Sequence, residues 1–135
     1  MIDLINRETT IIIVATIDED GSPRTAPFGW VYAVNSKTIR FSSSRGHDTY
    51  KNIVRDRRVM VCLMEEGNIA ISIKGNARVY TEQLESVAHV AMIEIDILDI
   101  KSDVTRVGNV ISGIKCEINE RYLEMTKDVY GEMMK

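Results

Sequence analysis

The sequence predicts a mostly β fold, a small antiparallel barrel with peripheral helices, with residues 1–135 forming one domain that ends in a helix. Three observations predict it. β-Branched and alternating runs recur at hairpin spacing, separated by turns bearing Gly, Asn and Asp. Helix-permitting stretches are few and brief, which argues against the βαβ rhythm of a parallel sheet. A chain of 135 residues, 44% of them hydrophobic, can bury one workable core.

Taken in order, Ile2 to Glu8 predicts a short helix capped at Asp3, and Thr9 to Ile17 a β-branched strand. Asp18-Glu19-Asp20-Gly21 is a hairpin turn. Pro23 to Val34 is a second extended run, and Pro27 within it marks an edge or a bulge because proline cannot donate to a ladder. Asn35-Ser36-Lys37 turns the chain into a third strand, Thr38 to Ser42. Asp48 to Arg55 reads as a helix carrying Ile53 and Val54 inward. Val59 to Met64 is nearly all apolar, as a strand buried on both faces would be. After the turn Glu65-Glu66-Gly67-Asn68, the run Ile69 to Tyr80 alternates at its start, as a half-buried strand does. Glu82 to Val90 permits a helix, Ile93 to Ile97 alternates strictly as a strand, and Val110 to Ile118 predicts a further strand. Asn119 is placed to cap a last helix with Leu123, Tyr130 and Met134 roughly on one face.

Composition narrows the function. A net charge of −3 and a pI near 5.4 argue against a nucleic-acid partner, which calls for a basic face. The cluster Arg55-Asp56-Arg57-Arg58 is broken by an acid and reads as a solvated corner. No run is long and apolar enough to span a membrane, and no signal-peptide pattern opens the sequence. Cys62 and Cys116 lack the spacing of a metal knuckle or redox pair, so reduced, buried thiols and a cytoplasmic protein are expected. His47 and His89 have no ligand set of metal spacing around them, and neither a nucleophile elbow nor a glycine-rich dinucleotide fingerprint is present.

The richest stretch is Phe41 to Ile53, where three serines, Arg45, Thr49 and Lys51 surround the start of a helix. First-turn N–H groups carry partial positive charge, and hydroxyls and cations around them would make a phosphate seat. A polar turn capped at Asp48 is the plainer reading of the same residues. Trp30 offers a ring for stacking on a planar ligand, or simply a core side chain.

The order Asp20-Gly21-Ser22-Pro23-Arg24-Thr25-Ala26-Pro27, Phe41-Ser42-Ser43-Ser44, Thr49-Tyr50-Lys51-Asn52-Ile53, Arg58-Val59 and Lys74-Gly75-Asn76-Ala77 resembles the FMN-binding split-barrel family over about residues 8 to 101. That family includes the pyridoxamine 5′-phosphate oxidases and small FMN-binding proteins. The resemblance implies a split β-barrel and a homodimer with two FMN molecules at the subunit interface. Arg24, Thr25, Ala26, Pro27 and Phe28, with Gly29, would run along the flavin ring and ribityl chain. Ser42, Ser43 and Ser44 would meet flavin and phosphate at a strand end, Thr49 and Lys51 would sit at the phosphate, and Lys74-Gly75 would approach from the partner. Two departures stand out: Asp48 lies where the oxidases place an arginine, which Arg45 or Lys51 would offset, and Ala70 replaces a polar flavin contact. The arginine- and histidine-bearing C-terminal segment of those oxidases is also missing, which disfavours vitamin B6 oxidation. The implied function is a dimeric flavoprotein in electron or hydride transfer, acting on a small-molecule or redox-protein substrate. Alternatives are a split barrel for deazaflavin F420 or haem (with His47 or His89 as axial ligand), or a cofactor-free regulatory or assembly module presenting Met125, Met133 and Met134.

Overall fold

The computed structural model describes residues 1–6 and 10–135. The strands are β1 (Ile12–Ile17), β2 (Pro23–Phe28), β3 (Val31–Asn35), β4 (Thr38–Ser44), β5 (Arg58–Glu65), β6 (Ile69–Thr81) and β7 (Val90–Ser102). The α-helices are α1 (Ile2–Ile5), α2 (Asp48–Arg55) and α3 (Leu123–Met133), the last entered through a 3-10 turn at Glu120–Tyr122. All strand pairs are antiparallel, in the order β2-β1-β5-β6-β7-β4-β3. The two edges of this sheet, β2 and β3, are joined in the chain by only Gly29 and Trp30. Edges so tightly linked must meet at that end, so the sheet curls round. The Ser42 N–H donates to Trp30 O at 3.0 Å, and Phe28 meets Phe41 with ring centroids 4.7 Å apart. The ladder does not close between β2 and β3, which makes the barrel split, as the family resemblance implies.

The β1–β2 hairpin turns at Gly21, whose φ of +88° is one that glycine adopts without strain. The core lies inside the curl, where Ile12, Val14, Val31, Ile39, Phe41, Val61, Leu63, Ile73, Ile93 and Ile95 are closed from solvent. Each such side chain contributes roughly 1.5–3 kcal/mol by leaving water. A second cluster outside the barrel packs Val129, Tyr130 and Met133 of α3 on Leu84, Val87, Val90 and Met92.

Several sequence expectations are corrected. The run from Pro23 to Val34 breaks into β2 and β3 at Gly29-Trp30, where the chain crosses from one sheet edge to the other. β5 alternates, with Val59, Val61 and Leu63 inside and Met60, Cys62 and Met64 exposed, because nothing in the described chain covers its outer face. Both cysteines are therefore exposed rather than buried. In β7 the expected alternation fails the other way. Val90 to Ile95 are all buried, since α3 and Arg40 cover the outward side, and Glu94 is enclosed with Arg40. Glu82 to Val90 forms turns anchored by Leu84 and Val87, not a helix. Val110 to Ile118 is irregular; Val110 touches the β5–β6 turn through Asn68 alone, so no ladder forms.

The helix ends also differ from expectation. α1 is preceded by Met1, with Asp3 in its first turn and no side-chain cap; the rest of the expected helix and the start of the first strand involve residues 7–9, outside the described residues. α2 is capped by His47, whose Nδ1 accepts from the Thr49 N–H, so Asp48 is a first-turn residue; Val54 faces solvent. Asn119 makes no side-chain cap, and α3 buries Thr126, Val129, Tyr130 and Met133 while Leu123 and Met134 are exposed. No helix among the described residues is long and apolar enough to cross a membrane.

Candidate functional site

The corner between β2 and β3 opens onto a cleft of about 520 Å³. Its barrel wall is Ile11, Pro27, Phe28, Gly29, Trp30 and Ser42; the facing wall is Ile114, Lys115, Cys116 and Ile118, from the irregular segment after β7. The corner is held from outside by α3. The Tyr130 hydroxyl donates to Gly29 O at 2.7 Å, and Trp30 Nε1 donates to Thr126 Oγ1 at 3.3 Å. Trp30 is thereby fixed with part of its ring on the cleft. Ser42 is 5% exposed, and its hydroxyl has no hydrogen-bond partner among the described residues. A buried hydroxyl left unpaired costs about 1–3 kcal/mol, so natural cores rarely keep one without a use.

A second region lies where β4 runs into α2. Ser43 is buried and its hydroxyl donates to Ser44 O, while Ser44 Oγ accepts from the Gly46 N–H. Thr49 is wholly enclosed, and its Oγ1 is the other buried hydroxyl without a partner among the described residues. The His47 ring meets Phe28 edge-on at 5.5 Å, linking this region to the corner.

Below it is a polar groove of about 360 Å³ lined by Asp18, Glu19, Asp20, Arg24, Asp48, Lys51, Asn52 and Arg55. Arg24 Nε donates to both Asp18 carboxylate oxygens, at 2.8 and 3.0 Å, and its Nη1 lies 3.7 Å from Asp48 Oδ2. Asn52 Nδ2 donates to Asp18 Oδ1 at 2.8 Å and to Thr16 Oγ1 at 3.0 Å. The Arg24 hydrogen bond, then that of Asn52, holds the Asp18 carboxyl below its ordinary range, and Asp18 raises Arg24 in turn. Four carboxylates thus face three cations. Arg45, expected to offset Asp48, instead gives its guanidinium to the Glu82 carbonyl.

The sequence-predicted residues therefore fall into neighbouring groups. Pro27, Phe28 and Ser42 border the cleft; Arg24 and Lys51 border the groove; Ser43, Ser44 and Thr49 lie along the path between them. Ala26 points into the core, and Thr25 is exposed on β2, an edge strand with one free backbone side. Lys74 and Gly75 border a separate depression of about 510 Å³ with Met60 and Leu98 on the outer sheet face. Ala70 is buried, and His89 is exposed in an irregular stretch. Among the described residues no group of three or more His, Cys, Asp or Glu could hold a metal ion. Sequence reasoning missed the wall from Ile114 to Ile118 because its apolar spacing reads as a strand. The holding roles of Thr126 and Tyr130 carry no local signal at all.

A family model described as pyridoxamine 5′-phosphate oxidase matches residues 3–104. The chain belongs to that family. No curated protein sequence matches it. Among solved structures, HupZ of Group A Streptococcus is 20% identical with a TM-score of 0.66, the match covering 87% of this chain and 96% of that one. An FMN-binding protein from Syntrophomonas wolfei subsp. wolfei is 13% identical with a TM-score of 0.64, covering 77% and 84%. An F420 reductase is 14% identical with a TM-score of 0.63, covering 73% and 94%. At such identities the likeness is one of fold.

Proposed function

We propose that this chain is an FMN-binding flavoprotein of the pyridoxamine 5′-phosphate oxidase-like superfamily, serving electron or hydride transfer. The observation that carries the reading is the buried Ser42 hydroxyl, without a partner among the described residues, beside an apolar cleft walled by Pro27, Phe28 and Trp30. Such a cleft suits a flat ring that needs apolar faces and a few polar contacts, and its volume lies in the usual range for cofactor sites. When bound, FMN would supply the redox chemistry at its ring. Pro27, Phe28 and Trp30 would exclude water from the ring, and Ser42 would give it one hydrogen bond. The free side of β2 between Arg24 and Phe28 would offer backbone groups. Thr49, Lys51 and the first turn of α2 would take the phosphate end. Arg24 is held by Asp18 and Asp48, so the phosphate end depends on few free cations. The same carboxylates weigh against deazaflavin F420, whose tail is polyanionic.

A homodimer belongs to this reading. Met60, Met64 and Leu98 leave apolar area exposed on the outer sheet face, next to Lys74 and Gly75, and a second copy would cover it.

Trp30 is the single tryptophan, so its emission reports on this cleft. Titrating FMN should quench Trp30 saturably at one FMN per chain. Ser42→Ala should weaken FMN about fivefold, the worth of one neutral hydrogen bond of about 1 kcal/mol. The same substitution should leave the cofactor-free protein as stable or more so, because it removes an unpaired buried hydroxyl. An affinity unchanged by Ser42→Ala would refute the placement, and no quenching at all would refute the cofactor.

A further inference from the structure

The cleft has two unlike walls. The barrel wall is apolar apart from Ser42, whereas the opposite wall, a strap formed by Gly113 to Ile118, brings one cation, Lys115, and one thiol, Cys116. Among the described residues no carboxylate lines the cleft. Lys115 is exposed and makes no hydrogen bond or ion pair among the described residues, although it also borders a polar groove on the strap's other side with Glu65 and Glu66. The strap is held in place. Glu65 Oε1 accepts from the Gly113 N–H at 3.2 Å, and a Cβ at Gly113 would collide with the Met64 carbonyl. The segment therefore passes the end of β5 at backbone contact before it crosses the cleft.

We propose that the strap wall binds the substrate, and that this substrate is a flat, apolar organic anion whose charge is met by Lys115. A molecule lying between the two walls would have apolar contact on both faces, from a ring seated on Pro27–Trp30 and from Ile114 and Ile118. Its acidic group would find Lys115 at the edge, the one cation among the described residues that line the cleft. A neutral molecule would leave Lys115 unused, and a cation would meet it with repulsion. The assignment deepens the flavin reading by naming the substrate class of the same cleft, and rests on it only for the redox meaning of the binding.

The test uses anilinonaphthalene sulfonate, a flat aromatic anion, and its uncharged counterpart phenylnaphthylamine, each titrated by fluorescence against the full chain with and without saturating FMN. The anion should bind at one site per chain. Lys115→Ala should weaken it about tenfold, as expected for a hydrogen bond to a charged group, with Lys115→Arg retaining it. The uncharged probe should be indifferent to both substitutions. Lys127→Ala, on α3 and outside the lining of this cleft, should change nothing. As a second readout, Cys116 in a Cys62→Ser background should react more slowly with iodoacetamide when the anionic probe is bound. Equal affinity of wild type and Lys115→Ala for the anion would overturn the proposal. So would release of the probe by FMN, which would show room for one ring only. Titration of FMN without the probe decides the flavin reading separately, so either can fail alone.

Discussion

Replacing Arg40 by alanine should cost about 3 kcal/mol of stability. Arg40 is 7% exposed and Glu94 6% exposed; the Arg40 Nε donates to Glu94 Oε2 at 2.9 Å, and Nη1 donates to the Met133 carbonyl at 2.8 Å. The guanidinium also lies over the Tyr80 ring, 4.4 Å from its centroid. Deleting one partner of a buried ion pair typically costs about 3–5 kcal/mol, because the other charge stays buried alone. Here Arg78, which is half exposed, still bonds Glu94, so the lower end applies. For a domain of this size that loss lowers Tm by roughly 10 °C. Urea unfolding followed by far-UV circular dichroism would measure it. The double variant Arg40→Met with Glu94→Leu should lose less than either charge deletion alone, since no charge is stranded. Arg40 also ties the end of α3, and α3 holds Trp30 through Thr126. Trp30 emission should therefore shift to the red at lower urea than the main transition in Arg40→Ala. A loss below about 1 kcal/mol, or a double variant as costly as the two singles combined, would refute a buried, interdependent pair.

Other substitutions test the site and the sheet. Asp48→Asn removes a carboxylate from the groove and loosens its hold on Arg24, so FMN should bind about threefold tighter while riboflavin, lacking phosphate, is unchanged; equal effects on the two would remove the groove from the phosphate site. Gly75 sits at a register shift where a Cβ would stand 2.8 Å from the Asp96 carbonyl, so Gly75→Ala should cost about 1–3 kcal/mol by thermal unfolding. Arg58, through its side-chain hydrogen bonds and then its backbone N–H, lowers the Asp56 carboxyl from the ordinary aspartate value to about 2. A depressed pKa contributes stability above the ordinary aspartate value that is lost as pH falls toward 2, so the stability gap between wild type and Asp56→Asn should close over that window. Sedimentation velocity should show a dimer that Met60→Lys dissociates without unfolding the chain; a monomeric wild type would refute the covered outer face.

Much of the barrel was legible because hairpin chemistry is local. Asp18 to Gly21 and Glu65 to Asn68 are turns in the structure as in the sequence, and the β-branched runs beside them are strands. Errors arose where a distant element decides the outcome. Glu94 looked like the solvent side of an alternating strand, but α3 and Arg40, distant in sequence, enclose it. Met60, Cys62 and Met64 looked buried because they are apolar, yet burial needs a second layer, and the described chain supplies none there. His47 displaced Asp48 as the cap of α2 because an imidazole nitrogen accepts as well as a carboxylate does. For the site, Pro27, Phe28 and Ser42 were readable from motif order, whereas Lys115 was not. Its place on the cleft follows from where Gly113 is pinned and where Trp30 is held, and neither constraint is local.

The topology explains why a cleft forms at this corner and not elsewhere. A sheet whose edge strands are two residues apart in the chain must bring those edges together at one end and part them at the other. Gly29 lets the crossing run close to β1, since a Cβ there would meet Ile11 Cδ1 at 3.0 Å. The two buried hydroxyls without partners among the described residues, Ser42 and Thr49, lie along or just beyond β4, the strand that approaches this corner. The family match ends at residue 104, so the barrel wall lies within it and the strap wall from Ile114 to Ile118 lies outside. That division separates two tasks physically. The barrel wall is fixed by the sheet and can change little without unfolding the core. The strap is held at Gly113 and through α3, and its intervening side chains are free to vary. A different residue at 115 would alter what the cleft accepts and leave the barrel untouched, so selectivity among relatives of this fold is expected to follow the strap, not the sheet.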